Sequence, residues 1–492
     1  MELDFGRMFR AGAAEGSGWR RMPAVAADCM VAASHPQATQ AGLQALARGG
    51  NAVDAALVAA AVLTVAEPTE NGPGGDAFAL IWDGEALHGL NGSGRAPGVL
   101  DAPGATEFGP RSVTVPGAVR AWADAADRFG RLGLDQALAP AADLAARGLA
   151  VTARIADKWA RADRAPTPAP ELGMRYALPE LASTLRAIAE EGPDAFYTGR
   201  IAEAIAGSTW LSETDLSGHV SEWVTPLHLD YRGVTVCELP PNGQGAAALL
   251  ALALADGLPD GVHFEIEAMK LALSDTRAVV CDGPLPDDFL APERLAGRRA
   301  LVRADRAIDP PPYSPARGGT TYLAVVDGDG MAVSWIQSLF HPFGSGVVAP
   351  GTGVVLQNRA AGFSPDPSHP NAIGPGRRPF HTIIPGMLLE DGGLLGPFGS
   401  RRSVAWSTVV TWCAAAMTWS PGGPRHGRGG QTGVTSMGDA RHPGKVDHRL
   451  PRRERAESPT RLRETTQPVR RDRGALRAAP APGPRAAARA RA

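Results

Sequence analysis

The residues best suited to chemistry are a threonine and the glycine before it, in the run Arg317-Gly318-Gly319-Thr320-Thr321-Tyr322-Leu323-Ala324-Val325-Val326-Asp327. A threonine at a newly formed N-terminus carries both a hydroxyl and an α-amine, so nucleophile and base belong to one residue. Gly319 has no Cβ and therefore admits a strained backbone and a close approach to its carbonyl. The run predicts self-cleavage between Gly319 and Thr320. The alternative is an ordinary loop that leads into a buried strand.

The strand spacing predicts a second hydroxyl beside the first. Residues 320–326 form one strand, Asp327-Gly328-Asp329-Gly330 has turn chemistry, and residues 331–336 return as the next strand. If the loop is 328–330, Thr320 lies directly opposite Ser338, with Cβ atoms about 5 Å apart. A slip of one residue would turn Ser338 to the other face. Ser338 would then be a polar residue that ends a strand.

The elements that must position these residues are a mixture of helices and strands. Helical patterns cover residues 36–46, 52–66, 118–129, 136–147, 178–191, 200–206, 244–258 and 263–280. Strand patterns cover 78–82 and 86–90, joined by an Asp83-Gly84 turn, and 230–239. No regular repeat relates them, which indicates an α+β fold. The segment 305–317, rich in proline and charge, is predicted to be an exposed connector ahead of Thr320.

Composition indicates a large protein without bound metal. The chain has 492 residues, 44% of them apolar, which suffices for a large core. Four cysteines stand far apart, without a Cys-x-x-Cys pair, so we expect reduced thiols, no zinc site and no cofactor. The first residues lack the pattern of a secretory signal, and the most apolar stretch, 52–66, is too short to span a membrane. We therefore expect a soluble cytoplasmic protein.

Residues 400–492 have a different composition from the rest. From residue 421 onward there are about 17 basic and about 6 acidic residues, which leaves residues 1–420 with a net charge of about −13. We expect this basic, low-complexity tail to be disordered or to come from a shifted reading frame, because GC-rich DNA read out of frame yields mostly Arg, Ala, Pro and Gly. It lacks the interleaved aromatic residues of a specific nucleic-acid-binding segment.

Six short runs occur in an order that is typical of one family. They are Gly49-Gly50-Asn51-Ala52-Val53-Asp54-Ala55, Gly72-Pro73-Gly74-Gly75-Asp76-Ala77-Phe78, Val115-Pro116-Gly117-Ala118-Val119, Pro240-Pro241-Asn242-Gly243-Gln244-Gly245, Gly319-Thr320-Thr321 and Phe343-Gly344-Ser345-Gly346. Together they resemble the γ-glutamyltransferase and cephalosporin acylase family of N-terminal nucleophile hydrolases, in its acylase-like cytoplasmic branch. The resemblance covers roughly residues 28–399.

The resemblance implies a four-layer αββα sandwich that is made as a precursor. Residues 1–319 would be the large-subunit region and residues 320–399 the start of the small-subunit region. Thr320 would form the acyl-enzyme with its own amine as base and pass the acyl group to water or an amine. Ser338 stands where the family has a second hydroxyl bonded to the nucleophile. The implied partners are a small-molecule amide or peptide and a heterodimer of the two cleavage products.

The chain departs from the family where γ-glutamyl enzymes hold the amino and carboxylate groups of the donor. These positions are Phe340, Arg359, Gly362 and the pair His381-Thr382, and the family's arginine is displaced to Arg95. Few anions remain to pair with a substrate ammonium, whereas Arg359 and Arg95 suit a carboxylate. The resemblance therefore implies γ-glutamyl or glutaryl-type amides, with glutaryl or another diacid favoured. His381 is expected to be a hydrogen-bonded pocket histidine rather than a second base.

A further departure concerns the oxyanion hole. The family has a glycine pair here whose backbone N–H groups form that hole, but this chain continues from Gly399 into Ser400-Arg401-Arg402. The resemblance is expected to stop at this point. Losing one oxyanion donor typically costs about 10²–10³ in rate. We therefore expect impaired or absent self-cleavage. Two alternatives to an active enzyme stay open: a truncated, unprocessed family member, and a scaffold with a basic nucleic-acid-binding tail.

Overall fold

The computed structural model describes residues 24, 26–100, 104–309 and 319–400. Residues 401–492 of the predicted tail and residues 310–317 of the predicted connector lie outside this part of the chain. The strands are β1 (Met30–Ala33), β2 (Asp76–Trp82), β3 (Leu87–Gly92), β4 (Leu149–Ala150), β5 (Arg175–Tyr176), β6 (Glu222–Val224), β7 (Leu227–Tyr231), β8 (Val234–Glu238), β9 (Gly319–Val326), β10 (Ala332–Phe340), β11 (Val348–Ala349), β12 (Val354–Val355), β13 (Ile384–Glu390) and β14 (Gly393–Ser400).

Twelve described helices surround these strands. They are α1 (Pro36–Ala47), α2 (Ala52–Ala66), α3 (Ala118–Phe129), α4 (Leu134–Arg147), α5 (Ala153–Ala160), α6 (Pro179–Glu191), α7 (Asp194–Tyr197), α8 (Gly199–Ala206), α9 (Glu213–Ser217), α10 (Gly245–Ala255), α11 (Val262–Val279) and α12 (Pro292–Arg299), with 3₁₀ turns at Pro110–Ser112 and Arg359–Gly362. Eight of these helices lie close to where the hydrophobic patterns predict them; α5, α7, α9 and α12 are not predicted. None of the helices described combines the length and the apolar character that crossing a membrane requires.

Two antiparallel sheets form the centre of the molecule. One has the strand order β1-β9-β10-β2-β3-β6 and the other has the order β14-β13-β8-β7. Side chains of their facing surfaces, among them Phe78, Ile336 and Met387, pack into one apolar layer. Helices α1 to α4 and α6 to α9 share a core with the outer face of the first sheet, and α10 to α12 cover the outer face of the second. The predicted four-layer αββα sandwich is confirmed.

Helix α2 holds the hairpin that carries the predicted nucleophile. Asn51 caps the helix by accepting from the N–H of Asp54, whose side chain accepts from the N–H of Asn51 in return. Every residue of α2 is buried, as its uniformly apolar sequence predicts. At its first turn Ala52 donates its N–H to Asp327 Oδ2 at 2.8 Å. The helix thus fixes the turn between β9 and β10.

The hairpin register is the predicted one along most of its length. Val326 pairs with Ala332, and the pairing continues in step to Thr321 opposite Gln337. The next pair, Gly319 with Phe340, is out of step, so a bulge lies at the end of the hairpin. The bulge breaks the ladder at Thr320 and Ser338, where continuous pairing was expected.

One strand prediction is wrong, and one hairpin of the structure has no counterpart among the predicted strands. Residues 230–239 form parts of two strands, because Arg232 and Gly233 have φ values of 50° and 94° and turn the chain between β7 and β8. The hairpin of β13 and β14 is not predicted from the sequence. It contains Pro385, Gly386, Gly396 and Pro397, residues that weaken a strand pattern.

Candidate active site

Thr320 and Ser338 meet at the end of the six-stranded sheet, on the face that is turned toward the second sheet. Thr320 Oγ1 lies 3.1 Å from Ser338 Oγ. Thr320 is 6% exposed and Ser338 is 1% exposed. The structure therefore brings together the two hydroxyls that the predicted hairpin register places opposite each other. Gly319 precedes them as the first residue of β9 and pairs with Phe340.

Phe340 shapes this end of the hairpin. Its φ of 78° is in the left-handed region, which is uncommon for an aromatic residue. In this conformation its backbone N–H donates to Ser338 Oγ at 2.8 Å. The bulge thus turns a backbone donor toward the hydroxyl that contacts Thr320. Strained backbone of this kind is concentrated at functional sites.

Asp76 lies directly opposite Ser338 on the other neighbouring strand, β2. Its side chain is buried, and Oδ1 accepts the N–H groups of Gly94 at 3.2 Å and Gly117 at 3.0 Å. Burial raises the pKa of Asp76 to about 7, although the charge of Arg359 acts in the opposite direction. Sequence reasoning missed this residue. The only signal was an acidic residue inside a glycine-rich run that opens a buried strand.

Arg359 is a buried cation, 1% exposed. Within the described part of the chain, none of its three guanidinium nitrogens has a hydrogen-bond partner. Its Cζ lies 4.6 Å from the centre of the Phe340 ring, a cation–π contact. Burial lowers the pKa of Arg359 to about 10, and the charge of Asp76 opposes that shift. A charged guanidinium with unused donors, excluded from water, suits a carboxylate ligand.

Gly362 ends the 3₁₀ turn that presents Arg359. A Cβ at Gly362 would lie 2.5 Å from the carbonyl oxygen of Phe380, so only glycine fits there. The glycine therefore has a packing role: it lets the turn approach the segment that leads to His381. Thr382 follows His381 and is half-buried.

His381 is fully buried, and its Nε2 lies 3.6 Å from Asp76 Oδ2. Neither ring nitrogen has a hydrogen-bond partner among the described residues, so the prediction of a hydrogen-bonded pocket histidine is wrong for the ring. Burial, followed by the charges of Arg359 and Arg378, holds the pKa of His381 well below its usual range. A neutral imidazole therefore faces the Asp76 carboxyl.

Arg95 is placed differently from Arg359. Its guanidinium contacts Glu222 and Asp282 at 2.9 Å each and donates to the carbonyl of Gly376. Protein carboxylates thus occupy the donors that were predicted to bind a substrate. A second arginine, Arg378, joins the same carboxylates while being 2% exposed, and no sequence pattern indicated it. The geometry favours Arg359 over Arg95 as an anion site.

The second sheet closes the site from the C-terminal side. Gly399 packs against Tyr322 of β9 so closely that a Cβ would lie 2.2 Å from the ring. Nearby, Ser334 Oγ donates to the carbonyl of Phe398 at 2.9 Å and ties the two sheets together. The position expected for the oxyanion donors follows directly, and residues 401 onward lie outside the described chain. The residues described hold no group of three or more His, Cys, Asp or Glu side chains that could bind a metal ion.

Comparisons with known proteins agree with this geometry. Residues 38–419 match the γ-glutamyltranspeptidase family. The glutathione hydrolase-like YwrD proenzyme of Bacillus subtilis is 37% identical over 407 residues, 74% of this chain and 76% of the relative. The oxamate amidohydrolase proenzyme of Klebsiella pneumoniae is 36% identical, over 75% of this chain and 78% of the relative. The family match ends 20 residues after Gly399, the residue at which the motifs alone placed the end of the resemblance.

A solved structure shares the fold over a similar extent. The cephalosporin acylase of Bacillus halodurans superimposes with a TM-score of 0.76 and 40% identity, covering 82% of this chain and 83% of the acylase. The chain is thus an α+β protein with the N-terminal nucleophile hydrolase fold, of a class that hydrolyses amides or transfers acyl groups. It belongs to the γ-glutamyltranspeptidase family.

Proposed function

We propose that Thr320 is the nucleophile of an amidohydrolase or acyltransferase, and that cleavage of the Gly319–Thr320 bond releases it. The 3.1 Å contact between Thr320 Oγ1 and Ser338 Oγ, at the start of β9, carries this proposal. In self-cleavage the hydroxyl oxygen attacks the Gly319 carbonyl, the peptide C–N bond breaks, and the nitrogen becomes the α-amine of Thr320. Water then hydrolyses the ester that joins Gly319 to the Thr320 oxygen.

In the cleaved enzyme the same atoms would act on a substrate amide. The α-amine takes the proton of the Thr320 hydroxyl while Oγ1 attacks the amide carbonyl, and the leaving amine receives that proton. The acyl group then passes from Thr320 to water or to an acceptor amine. The contact with Ser338 keeps the Thr320 hydroxyl oriented for attack, and the Phe340 N–H in turn fixes the Ser338 hydroxyl.

The substrate class we propose is an amide whose acyl group ends in a carboxylate, of the γ-glutamyl or glutaryl type. Support comes from Arg359, a buried cation with unused donors that is linked through Phe340 to Ser338. Two relatives are named for glutathione hydrolysis and oxamate hydrolysis, and glutathione and oxamate are amides whose acyl group carries a carboxylate. Under this proposal Gly362 serves by admitting the turn that presents Arg359, and His381 and Thr382 line the same pocket.

A second candidate is an unprocessed, inactive family member. It is favoured by one observation: Ser400-Arg401-Arg402 follows Gly399 where a glycine pair is expected to supply the oxyanion donors. Such a chain would keep the sandwich and fail to cut itself.

A cytoplasmic location also belongs to the proposed function, and the free thiols of Cys29, Cys237 and Cys281 support it.

Mass spectrometry of the purified chain over time separates the two candidates. For the enzyme we expect slow appearance of a fragment that begins at Thr320, abolished in Thr320→Ala. Thr321→Val is the matched control, because the Thr321 hydroxyl donates to the backbone carbonyl of Gln337. Cleavage that persists in Thr320→Ala would exclude Thr320 as the nucleophile. A chain that stays intact for days would establish the inactive form.

A further inference from the structure

Two opposite charges belong to one buried cluster of side chains beside the nucleophile. We call it the Asp76–Arg359 pocket and define it by Asp76, Ser338, Phe340, Arg359 and His381, which are joined by the contacts described above. Each of these residues is 6% exposed or less. Asp76 Oδ2 and the three guanidinium nitrogens of Arg359 have no hydrogen-bond partner among the described residues. Buried polar atoms are normally paired, so this concentration of unpaired donors and acceptors points to a ligand.

The pocket is continuous with Thr320. Ser338, which contacts the Thr320 hydroxyl, is the cross-strand neighbour of Asp76. Phe340 donates its N–H to the same Ser338 hydroxyl and lies under the guanidinium of Arg359. An acyl group attached to Thr320 is therefore within reach of both charges.

The other ionisable groups around Asp76 do not change the balance of charge. Arg378 is engaged by Glu222 and by the carbonyl of Ser93. His381 is kept neutral by burial, which lowers its pKa. The Tyr197 hydroxyl donates to the carbonyl of Pro116, and burial raises its pKa, so it too is neutral. Arg359 and Asp76 therefore remain as one positive and one negative group, and the charge of each acts on the pKa of the other.

A carboxylate that enters this pocket would leave an excess negative charge where water is excluded. Such an excess is expensive, and a protein relieves it by binding a proton at the nearest suitable group. Asp76 Oδ2 is suitable because it has no hydrogen-bond partner among the described residues and faces the neutral His381 ring at 3.6 Å, whereas Oδ1 is held by the N–H groups of Gly94 and Gly117. A ligand that brings its own ammonium group avoids the excess, because Oδ2 can accept from that ammonium.

We infer that Asp76 determines the acyl specificity of the proposed reaction: a carboxylate-ended acyl group binds at Arg359 together with a proton on Asp76 Oδ2, whereas an acyl group with both carboxylate and ammonium binds to ionised Asp76. The inference rests on the proposed function. The proton comes from solvent, and no bond of the acyl group changes in this step. The preference between glutaryl and γ-glutamyl amides therefore reverses as pH rises through neutrality.

Glutarate and L-glutamate test the inference, because they are the acids released from the two amides and differ by one ammonium group. Binding to the full chain is measured by calorimetry from about pH 6 to about pH 9, in buffers of different ionisation heat. We expect glutarate affinity to fall about tenfold per pH unit above pH 7, with uptake of about one proton. Glutamate affinity should instead rise from about pH 6 to about pH 8, because its binding to ionised Asp76 releases the proton, and should change less than about twofold from about pH 8 to about pH 9.

Asp76→Asn is the decisive variant, because its Oδ1 can still accept from Gly94 and Gly117. We expect it to make glutarate binding independent of pH and to weaken glutamate at least tenfold. Asp329→Asn, at an exposed turn, is the matched control and should leave both profiles unchanged. A pH-independent affinity for glutarate in the wild type, or the same slope in Asp76→Asn, would overturn the inference.

Arg359→Met separates failure of the inference from failure of the proposed function. If glutarate binds the wild type and not Arg359→Met, Arg359 is an anion site. The pH dependence of glutarate binding then tests the role of Asp76 by itself. If glutarate does not bind the wild type, or binds Arg359→Met equally well, the proposed carboxylate site is wrong and the inference falls with it.

Discussion

Asp76 and Ser338 are direct cross-strand partners of β2 and β10, so the buried carboxylate is set beside the hydroxyl that contacts Thr320. The approach depends on the residue before Asp76. A Cβ at Gly75 would lie 2.5 Å from the carbonyl oxygen of Ser338. The glycine-rich run before β2 therefore lets the strands close around the nucleophile, with no need for it to bind a phosphate or another ligand.

Substitution of Gly75 by alanine should push β2 away from β10. We expect Gly75→Ala to lower the free energy of unfolding by about 1–3 kcal/mol and to slow cleavage before Thr320. Gly297→Ala is the matched control, because Gly297 lies inside α12 with open space at its Cβ position. It should stabilise by about 0.5–1 kcal/mol. Urea unfolding measures both, and equal effects would contradict the steric role of Gly75.

Removal of the Ser338 hydroxyl should affect chemistry more than stability. We expect Ser338→Ala to slow self-cleavage and amide hydrolysis by about 10²-fold, because Thr320 loses its contact and the Phe340 N–H loses its acceptor. Ser334→Ala, on the same strand, removes a bond to the carbonyl of Phe398 and should cost about 1 kcal/mol of stability without a change in rate. Equal rates in the two variants would exclude a role for Ser338.

A buried cation without hydrogen bonds should cost the folded protein free energy. We expect Arg359→Met to raise the free energy of unfolding by about 1–3 kcal/mol, since desolvation of the charge outweighs the contact with Phe340. Arg95→Met should not stabilise, because it leaves Glu222 and Asp282 without their partner. Denaturant titrations of the two variants give the comparison. A destabilised Arg359→Met would mean that an interior anion already neutralises this arginine.

Asp76 should make stability depend on pH. Burial raises its pKa from 3.8 to about 7, so the folded carboxyl keeps its proton where the unfolded one has lost it. Stability should therefore fall as pH rises from about 4 to about 7, by at most about 4 kcal/mol, and level off above. In Asp76→Asn this slope should be absent. Unfolding free energies measured between about pH 4 and about pH 8 decide the matter, and parallel curves would contradict it.

The hairpin of β9 and β10 could be predicted because its information is local. The turn residues 327–330 set the loop, and the register then follows by counting to Thr321 opposite Gln337. The bulge at Thr320 could not be predicted in this way. It arises because Phe340 takes a left-handed backbone conformation, which an aromatic residue in a sequence does not indicate. The two hydroxyls meet despite the broken ladder.

Residues that function through distant neighbours were harder to find. Asp76 is a partner of Ser338 only through the pairing of β2 with β10, which are 262 residues apart in the chain at that pair. Arg95 and Arg359 looked equivalent as isolated arginines. Only the fold shows that Glu222 and Asp282 hold the first and that the second has no such partner within the described chain. A charged residue in a sequence does not reveal whether an oppositely charged residue neutralises it in the fold.

The strand order has a consequence for the chain after a cut at Thr320. Strands β9 and β10 would belong to one piece, yet they lie between β1 and β2 of the other. In the second sheet β13 of the later piece pairs with β8 of the earlier one. Three ladders would thus cross from piece to piece, so dilution could not separate them without dismantling both sheets. The lifetime of the cut protein would be set by its unfolding rate, and its concentration would not matter.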